Sequence, residues 1–478
     1  MPPSDQKAEK QAPSPQSEDS KLWGARFETG AAEILEEFNA SITFDYKLYQ
    51  EDIDGSLAHT KMLAECKIIS EEEVKEIHRG LELIREEISK DPKAWAGSRV
   101  SDEDIHLAIE KRLTEIIGDA AKKMHTARSR NDQVVTDLRL WLKKQSHSLV
   151  TQIKNLRTQF IKRANKDIDC IMPGYTHLQQ AQPISLGHFW LAHEARFARD
   201  TERLEDAIKR IDINPLGSGA LAGTSFAIDR ESTTQTLGFA RASENSLDAV
   251  SDRDFVAEYE FILSMLMVHL SQLAEEMIIW NSQEFGYITI SDQFATGSSM
   301  MPQKKNPDIP ELLRGKTGRV IGVLNALLIT LKSLPLAYNK DLQEDKEQLF
   351  MANDTVLKSL QITIEFLDNI EPNKDRMYEA VYKSYADATD AADYLVRKNV
   401  PFRTAYEAVG KAVKYAVERD RLLKELSASE WADFHQSFTA DIVDLLKPET
   451  SVDSRNSLGG TSRTQVKEAI AFAQGRLQ

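Results

Sequence analysis

The residues with the clearest capacity for chemistry stand in one run, Gly297-Ser298-Ser299-Met300-Met301-Pro302-Gln303-Lys304-Lys305-Asn306-Pro307-Asp308. Gly297 and two serines make a flexible start, and Pro302 and Pro307 forbid a continuing helix, so the run reads as a loop. Asp308 and Glu311 then read as a capping box that opens a helix at about Ile309. Two hydroxyls, two ammonium groups and a carboxamide thus gather before a helix N-terminus, an end that favours anions. A loop with proton-transfer groups and cations points to a lid that closes over an anionic substrate and excludes water. The plainer alternative is a solvated loop with a chance pair of lysines.

Other runs carry similar groups. Met124 to Gln133 holds hydroxyls, two guanidinium groups and an amide. Arginine grips carboxylates through paired hydrogen bonds, although Arg128 and Arg130 equally suit a solvated helix-start turn. Pro173 to Pro183 sets Thr176 and His177 among three glutamines in a Gly/Pro-bounded loop. A lone histidine is usually structural, but this setting makes it a candidate for work. Asn214 to Thr224 is glycine-rich, yet it matches no dinucleotide or phosphate loop. Asp252-Arg253-Asp254-Phe255 reads as a structural ion-pair cluster. Tyr338 to Glu347, taken alone, reads as a solvated helix start.

Long helices must position these runs. From Asp132 to about Asp169, apolar residues recur at Val135, Leu138, Leu142, Leu149, Ile153, Leu156 and Phe160, in helical steps. Further helices are expected over 185–211, 257–284, 311–334 and 343–370, with shorter ones over 46–66 and 70–88. Ser70 and Glu73 form a capping box for the last of these. Residues 91–104 read as polar and irregular, and no alternating strand pattern of useful length is present. The expected fold is all-α: a long central helix bundle over 129–381, flanked by helical domains at 21–128 and 382–478, after a disordered tail at 1–20. Such rods carry more apolar surface than one subunit can cover. Phe261 to Ile279 is apolar nearly all round, so it should be buried on every side, in a bundle shared by several subunits. The alternative is a monomer sheathed by its terminal domains.

The chain has 478 residues and a net charge of -15, which argues against nucleic acid or an anionic membrane as partner. An anionic substrate therefore needs a local cationic pocket. Cys66 and Cys170 are the only cysteines, which excludes a disulfide framework and fits a reducing compartment. Phe261 to Trp280 contains His269, Gln272, Glu275 and Glu276, so it reads as a bundle helix and not a membrane span. With no secretory signal or arginine in the tail, a cytoplasmic location is expected.

The lid run resembles the signature of the fumarase/aspartase superfamily, whose members eliminate a group β to a carboxylate to give fumarate. Six blocks in order, Leu22 to Phe27, Asn39 to Asp45, His125 to Gln133, Pro173 to Pro183, Gly297 to Asp308 and Tyr338 to Glu347, resemble its argininosuccinate lyase family. The resemblance runs from about residue 21 to near the C-terminus. It implies a homotetramer with active sites shared between subunits and cleavage of argininosuccinate to arginine and fumarate. It implies substrate contacts at Ser41, Asn131, Thr176, Asn306, Tyr338, Gln343 and Lys346. His177 and Ser298 are implied as the acid/base pair, with Lys304 and Glu311 as their support. The alternatives are a sister lyase acting on adenylosuccinate, aspartate or malate, and a non-catalytic structural protein like the lens crystallins of this fold.

The chemistry suits these groups. Taking a proton α to a carboxylate makes a dianion, and Lys304 and Asn306 can meet that charge. Ser298 is favoured as the base, activated by nearby positive charge and desolvation. His177 can protonate the leaving nitrogen, since histidine titrates near neutrality. Either assignment of the pair remains open. Glu311 can polarise the imidazole or serve as cap partner of Asp308. No cofactor or metal is called for.

Overall fold

The computed structural model describes residues 32–477, so the expected tail and the Leu22–Phe27 block lie outside the described residues. Numbering only the longer helices, α1 is Tyr49–Glu65, α2 Glu71–Lys90, α3 Ile105–Ile117, α4 Arg130–Lys166, α5 Leu186–Ile211, α6 Asp254–Asn281, α7 Asp308–Leu331, α8 Glu347–Asp368, α9 Ala388–Arg397, α10 Phe402–Val417 and α11 Arg463–Gly475. The all-α fold is as expected.

The centre is α4, with 37 residues. At about 1.5 Å per residue it spans roughly 55 Å. Its start is fixed by a reciprocal cap: Ser129 accepts from the backbone, and the Asp132 carboxylate accepts from Ser129 N. No glycine or proline interrupts it, and the seven apolar positions picked out by spacing, Val135 to Phe160, are fully buried. They pack against α5 and α8, while α6 packs against α5, α7 and α8. A single apolar cluster joins these helices and also takes Val466, Ile470 and Ala473 from α11. A second cluster fills α1 to α3, and a third lies within residues 391–446.

Two local expectations are corrected. Residues 91–104 are not irregular throughout: Pro92–Gly97 is a short helix, with Asp91 capping Ala94 N and proline in the first turn, where its missing N–H costs nothing. Strands are present, as four two-stranded pairs among the described residues. The Pro173–Pro183 loop is mostly a hairpin, β1 (Ile171–Thr176) with β2 (Gln179–Ser185), in which Pro173 faces Pro183. A two-stranded ribbon has only edges, so its prolines forfeit no ladder bond in a sheet centre. Within one chain α6 keeps an open side, and burial in a bundle shared between subunits is a matter for the assembly. Phe261 is 46% exposed, and α7 beside it leaves Leu312, Leu328 and Ile329 in the open.

Close approach of α4 and α5 depends on Gly187 in the first turn of α5. A Cβ there would lie 2.7 Å from Ala164 O and 3.1 Å from Ile168 Cα, both backbone atoms. Gly187→Ala should therefore destabilise the fold by about 1–3 kcal/mol in spite of better helix propensity. The urea midpoint checks this, and an unchanged midpoint contradicts the close approach.

Candidate active site

The lid run is a hairpin, not a free loop. β3 (Thr296–Gly297) pairs antiparallel with β4 (Lys305–Asn306), leaving 298–304 as its tip. Ser298 Oγ accepts hydrogen bonds from Met300 N at 3.2 Å and Met301 N at 3.1 Å. Donors aimed at a hydroxyl oxygen favour its deprotonated form. The two lysines differ. Lys305 is tied to Ile290 O at 2.8 Å and to Asp292 at 2.7 Å, whereas the Lys304 ammonium is exposed and has no partner among the described residues. Asn306 is half-buried at the hairpin base.

The capping box expected of Asp308 and Glu311 is absent. α7 begins one residue early, with Pro307 as N-cap and no side-chain cap bond. Asp308 is thereby inside the helix, and its carboxylate turns to the Thr296 hydroxyl across the hairpin base. The Glu311 carboxylate is exposed and has no partner among the described residues.

His177 stands at the tip of the β1–β2 hairpin. Thr176 pairs with Gln179, so His177 and Leu178 form a two-residue turn, with φ of 55° and 57°. Both left-handed positions are usual for Asn-Gly and costly for a leucine. A Tyr175–Tyr287 hydroxyl pair at 2.6 Å braces the hairpin, and the tip residues are exposed.

Four other candidates share one neighbourhood. Ser41 Oγ donates to Asp45 at 2.6 Å, and Asp45 also accepts from Ile105 N at 3.1 Å. Burial, then the charge of Asp104, pushes Asp45 up to about 6. Gln343 donates to Asn39 O at 3.2 Å. Lys346, buried, donates to Asp345 at 2.6 Å, and Arg253 pairs with the same carboxylate. That pair, with Arg139–Asp252, bears out the structural reading of the Asp252–Phe255 run. Tyr338 is half-buried, and burial followed by Asp345 pushes its phenol up to about 12, so it remains a neutral donor. Asn131 lies apart, its Nδ2 donating to Ala220 O at 3.0 Å. Within the chain, no hydrogen bond among the described residues joins one candidate side chain to another.

The Met124–Gln133 run leads inward to an unforeseen buried network. His106 Nδ1 lies 2.8 Å from Asp52 and 3.3 Å from Asp137. Gln133 donates to Asp52, Arg130 donates to Gln133, and Arg128 donates to Ser56 at 3.0 Å. Arg128 and Arg130 thus have internal partners and are not simply solvated. Burial opposes the His106 imidazolium, but Asp52, Asp137 and Asp104 outweigh it and hold its pKa up to about 10. Burial also opposes the Asp52 carboxylate, yet His106, Arg128 and Arg130 hold it well below the usual range. Asp137 is pushed well above that range by burial and by the charge of Asp52. The Asp52, His106 and Asp137 ligand atoms lie within 4.8 Å of one another, close enough to hold a metal ion. Gln133 and the two guanidinium groups already supply the donors and positive charge a cation would bring, so the donor set fits an ion network better than a metal centre.

Signals for the missed residues were faint. Asp45 is four residues after Ser41, and Asp132 three after Ser129 in a cap pattern. Nothing local marks Asp52 or His106, whose partners are distant in sequence.

The His106 network sets a pH dependence. Its folded pKa lies above its unfolded value of about 6.5, so its stabilisation is complete below that value and is lost as pH rises through about 10. The denaturant midpoint should fall between pH 7 and pH 10, and His106→Asn should flatten that fall. Equal slopes for the two proteins would contradict the ionised network.

Comparison with known proteins bears on the family. A family model described as Lyase matches residues 25–322, and one described as Argininosuccinate lyase C-terminal matches 385–453. The chain is 50% identical over 459 residues to an argininosuccinate lyase of Crocosphaera subtropica, covering 96% of this chain and 98% of that one. It is 51% identical over 457 residues to that of Synechococcus elongatus, covering 95% and 97%. Among solved structures, EDDS lyase in complex with formate superposes with a TM-score of 0.83 at 29% identity, covering 94% of this chain and 91% of that one. A class II fumarase from Schistosoma mansoni reaches 0.74 at 15% identity over 88% and 94%, a likeness of fold alone. With half of its residues shared over nearly the whole length of those relatives, the chain belongs to the argininosuccinate lyase family.

Proposed function

We propose that the protein splits argininosuccinate into arginine and fumarate by general acid–base β-elimination. The observation that carries this is the lid hairpin, where Ser298 Oγ accepts from two backbone N–H groups and an uncommitted Lys304 stands beside it. Those donors stabilise an alkoxide, which is what a serine needs to act as base. Ser298 takes the proton α to the carboxylate. Lys304 and Asn306 meet the dianion that develops. His177 protonates the departing guanidino nitrogen, directly or through water, and Glu311 orients it. Ser41, Asn131, Thr176, Tyr338, Gln343 and Lys346 contact the substrate. Buried Asp45 and Asp345 brace Ser41 and Lys346.

The working unit is a homotetramer with shared sites, in the cytoplasm. Two observations favour assembly. The candidate groups stand in separate neighbourhoods of one chain. Leu312 and Ile329 are 59% and 61% exposed on α7, and Gly315, Gly318 and Gly322 there have open space beside them. Small residues on an apolar helix face let another helix approach closely.

Two experiments test this. With purified protein, fumarate absorbance should rise on adding argininosuccinate, and Ser298→Ala should keep the assembly while lowering kcat by about a thousandfold or more. Unchanged turnover would remove Ser298 from the role of base. Ile329→Asp should shift the mass in light scattering to smaller species, with loss of activity. An undiminished tetramer would place the interface on another face.

A further inference from the structure

We propose that Asp132 is a positioning residue that clamps the glycine-rich loop Gly217–Gly223 to the start of α4 and so orients Asn131 for substrate. This rests on the reading of Asn131 as a substrate contact. The Asp132 side chain has no exposure to water, and burial pushes its pKa up. Burying a carboxylate is costly unless its oxygens find donors. One oxygen accepts from Ser129 N at 2.9 Å, and the other from Gly217 N at 3.0 Å and Gly219 N at 2.8 Å. A single carboxylate thus ties a helix start to a loop more than eighty positions away in the chain.

The loop is shaped for this hold. Gly217, Gly219 and Gly223 have φ of 94°, 61° and 77°, where a side chain is strained. A Cβ on Gly219 would lie 2.5 Å from Gly223 O, so the loop closes on itself with no room to spare. Gly223 N donates to Ser218 O at 2.9 Å across that closure. The tip then delivers Ala220 O to the Asn131 amide nitrogen at 3.0 Å. This fixes which way the carboxamide faces. Its oxygen has no partner among the described residues and is available to an N–H donor such as the ammonium or guanidino group of argininosuccinate. Asp132 touches neither substrate nor reacting atoms; it acts through the loop and the neighbouring amide.

A double-mutant cycle on the full-length enzyme tests this. A displacement of about 1 Å in a substrate contact can cost on the order of a hundredfold. Asp132→Asn puts an amide N–H toward backbone N–H groups, and should lower kcat/KM for argininosuccinate about as much as Asn131→Ala, mostly through KM. The double variant should be no worse than Asn131→Ala alone. Gly219→Ala disturbs the loop without altering the carboxylate and should show the same KM-weighted loss and the same non-additivity. It serves as the test if Asp132→Asn fails to fold. Additive losses, or a KM within about twofold of the starting enzyme for both variants, would overturn the clamp. If Asn131→Ala itself leaves kcat/KM unchanged, the substrate-contact reading fails, whatever Asp132 does.

Discussion

A long helix leaves four backbone N–H groups unsatisfied at its start, and where that start is buried something other than water must answer them. In α4 the answer is the Ser129–Asp132 cap, and the arrangement of the site follows from it. The capped turn carries Asn131, and the cap carboxylate reaches the glycine-rich loop. From that end α4 runs through the core to the hairpin with His177 at its tip. The rigid rod thus separates Asn131 and His177 by a fixed length. The other candidate residues flank α7, with the lid hairpin before it and the Tyr338–Lys346 segment after it.

Charge is handled locally against an overall charge of -15. Acids near the candidate contacts are paired inward: Asp45 with Ser41, Asp345 with Arg253 and Lys346, and Asp52 with His106. Each pairing holds a buried acid against a partner inside the fold. Lys304 at the hairpin tip has no partner among the described residues, whereas Lys305 is tied to Ile290 and Asp292. The two adjacent lysines differ because Lys305 lies in β4, against Ile290 and Asp292, while Lys304 lies in the hairpin tip.

Much of this was readable from residue order. The long helices appear where the apolar spacing placed them, because burying a stripe of a rod needs the same three- and four-residue steps wherever the rod lies. The Ser70–Glu73 cap was readable because its partners are three residues apart. The β1–β2 hairpin was not, since its strands lack apolar alternation and its turn is His-Leu, where Asn-Gly is the usual signal. The Asp308–Glu311 cap fitted its pattern but lost to a competing partner, the Thr296 hydroxyl brought in by the hairpin.

The sequence by itself determined the class of fold, the lengths of the rods and the presence of a serine, a histidine and cations in loops between them, since each is set by neighbours within a few positions. The tertiary structure alone decided which lysine is free and which acid braces which contact. It alone brought Asp52 to His106 and Asp132 to the glycine loop. These depend on distances between segments tens to hundreds of residues apart, and a hydrogen bond of about 3 Å leaves no trace in the spacing of either partner along the chain.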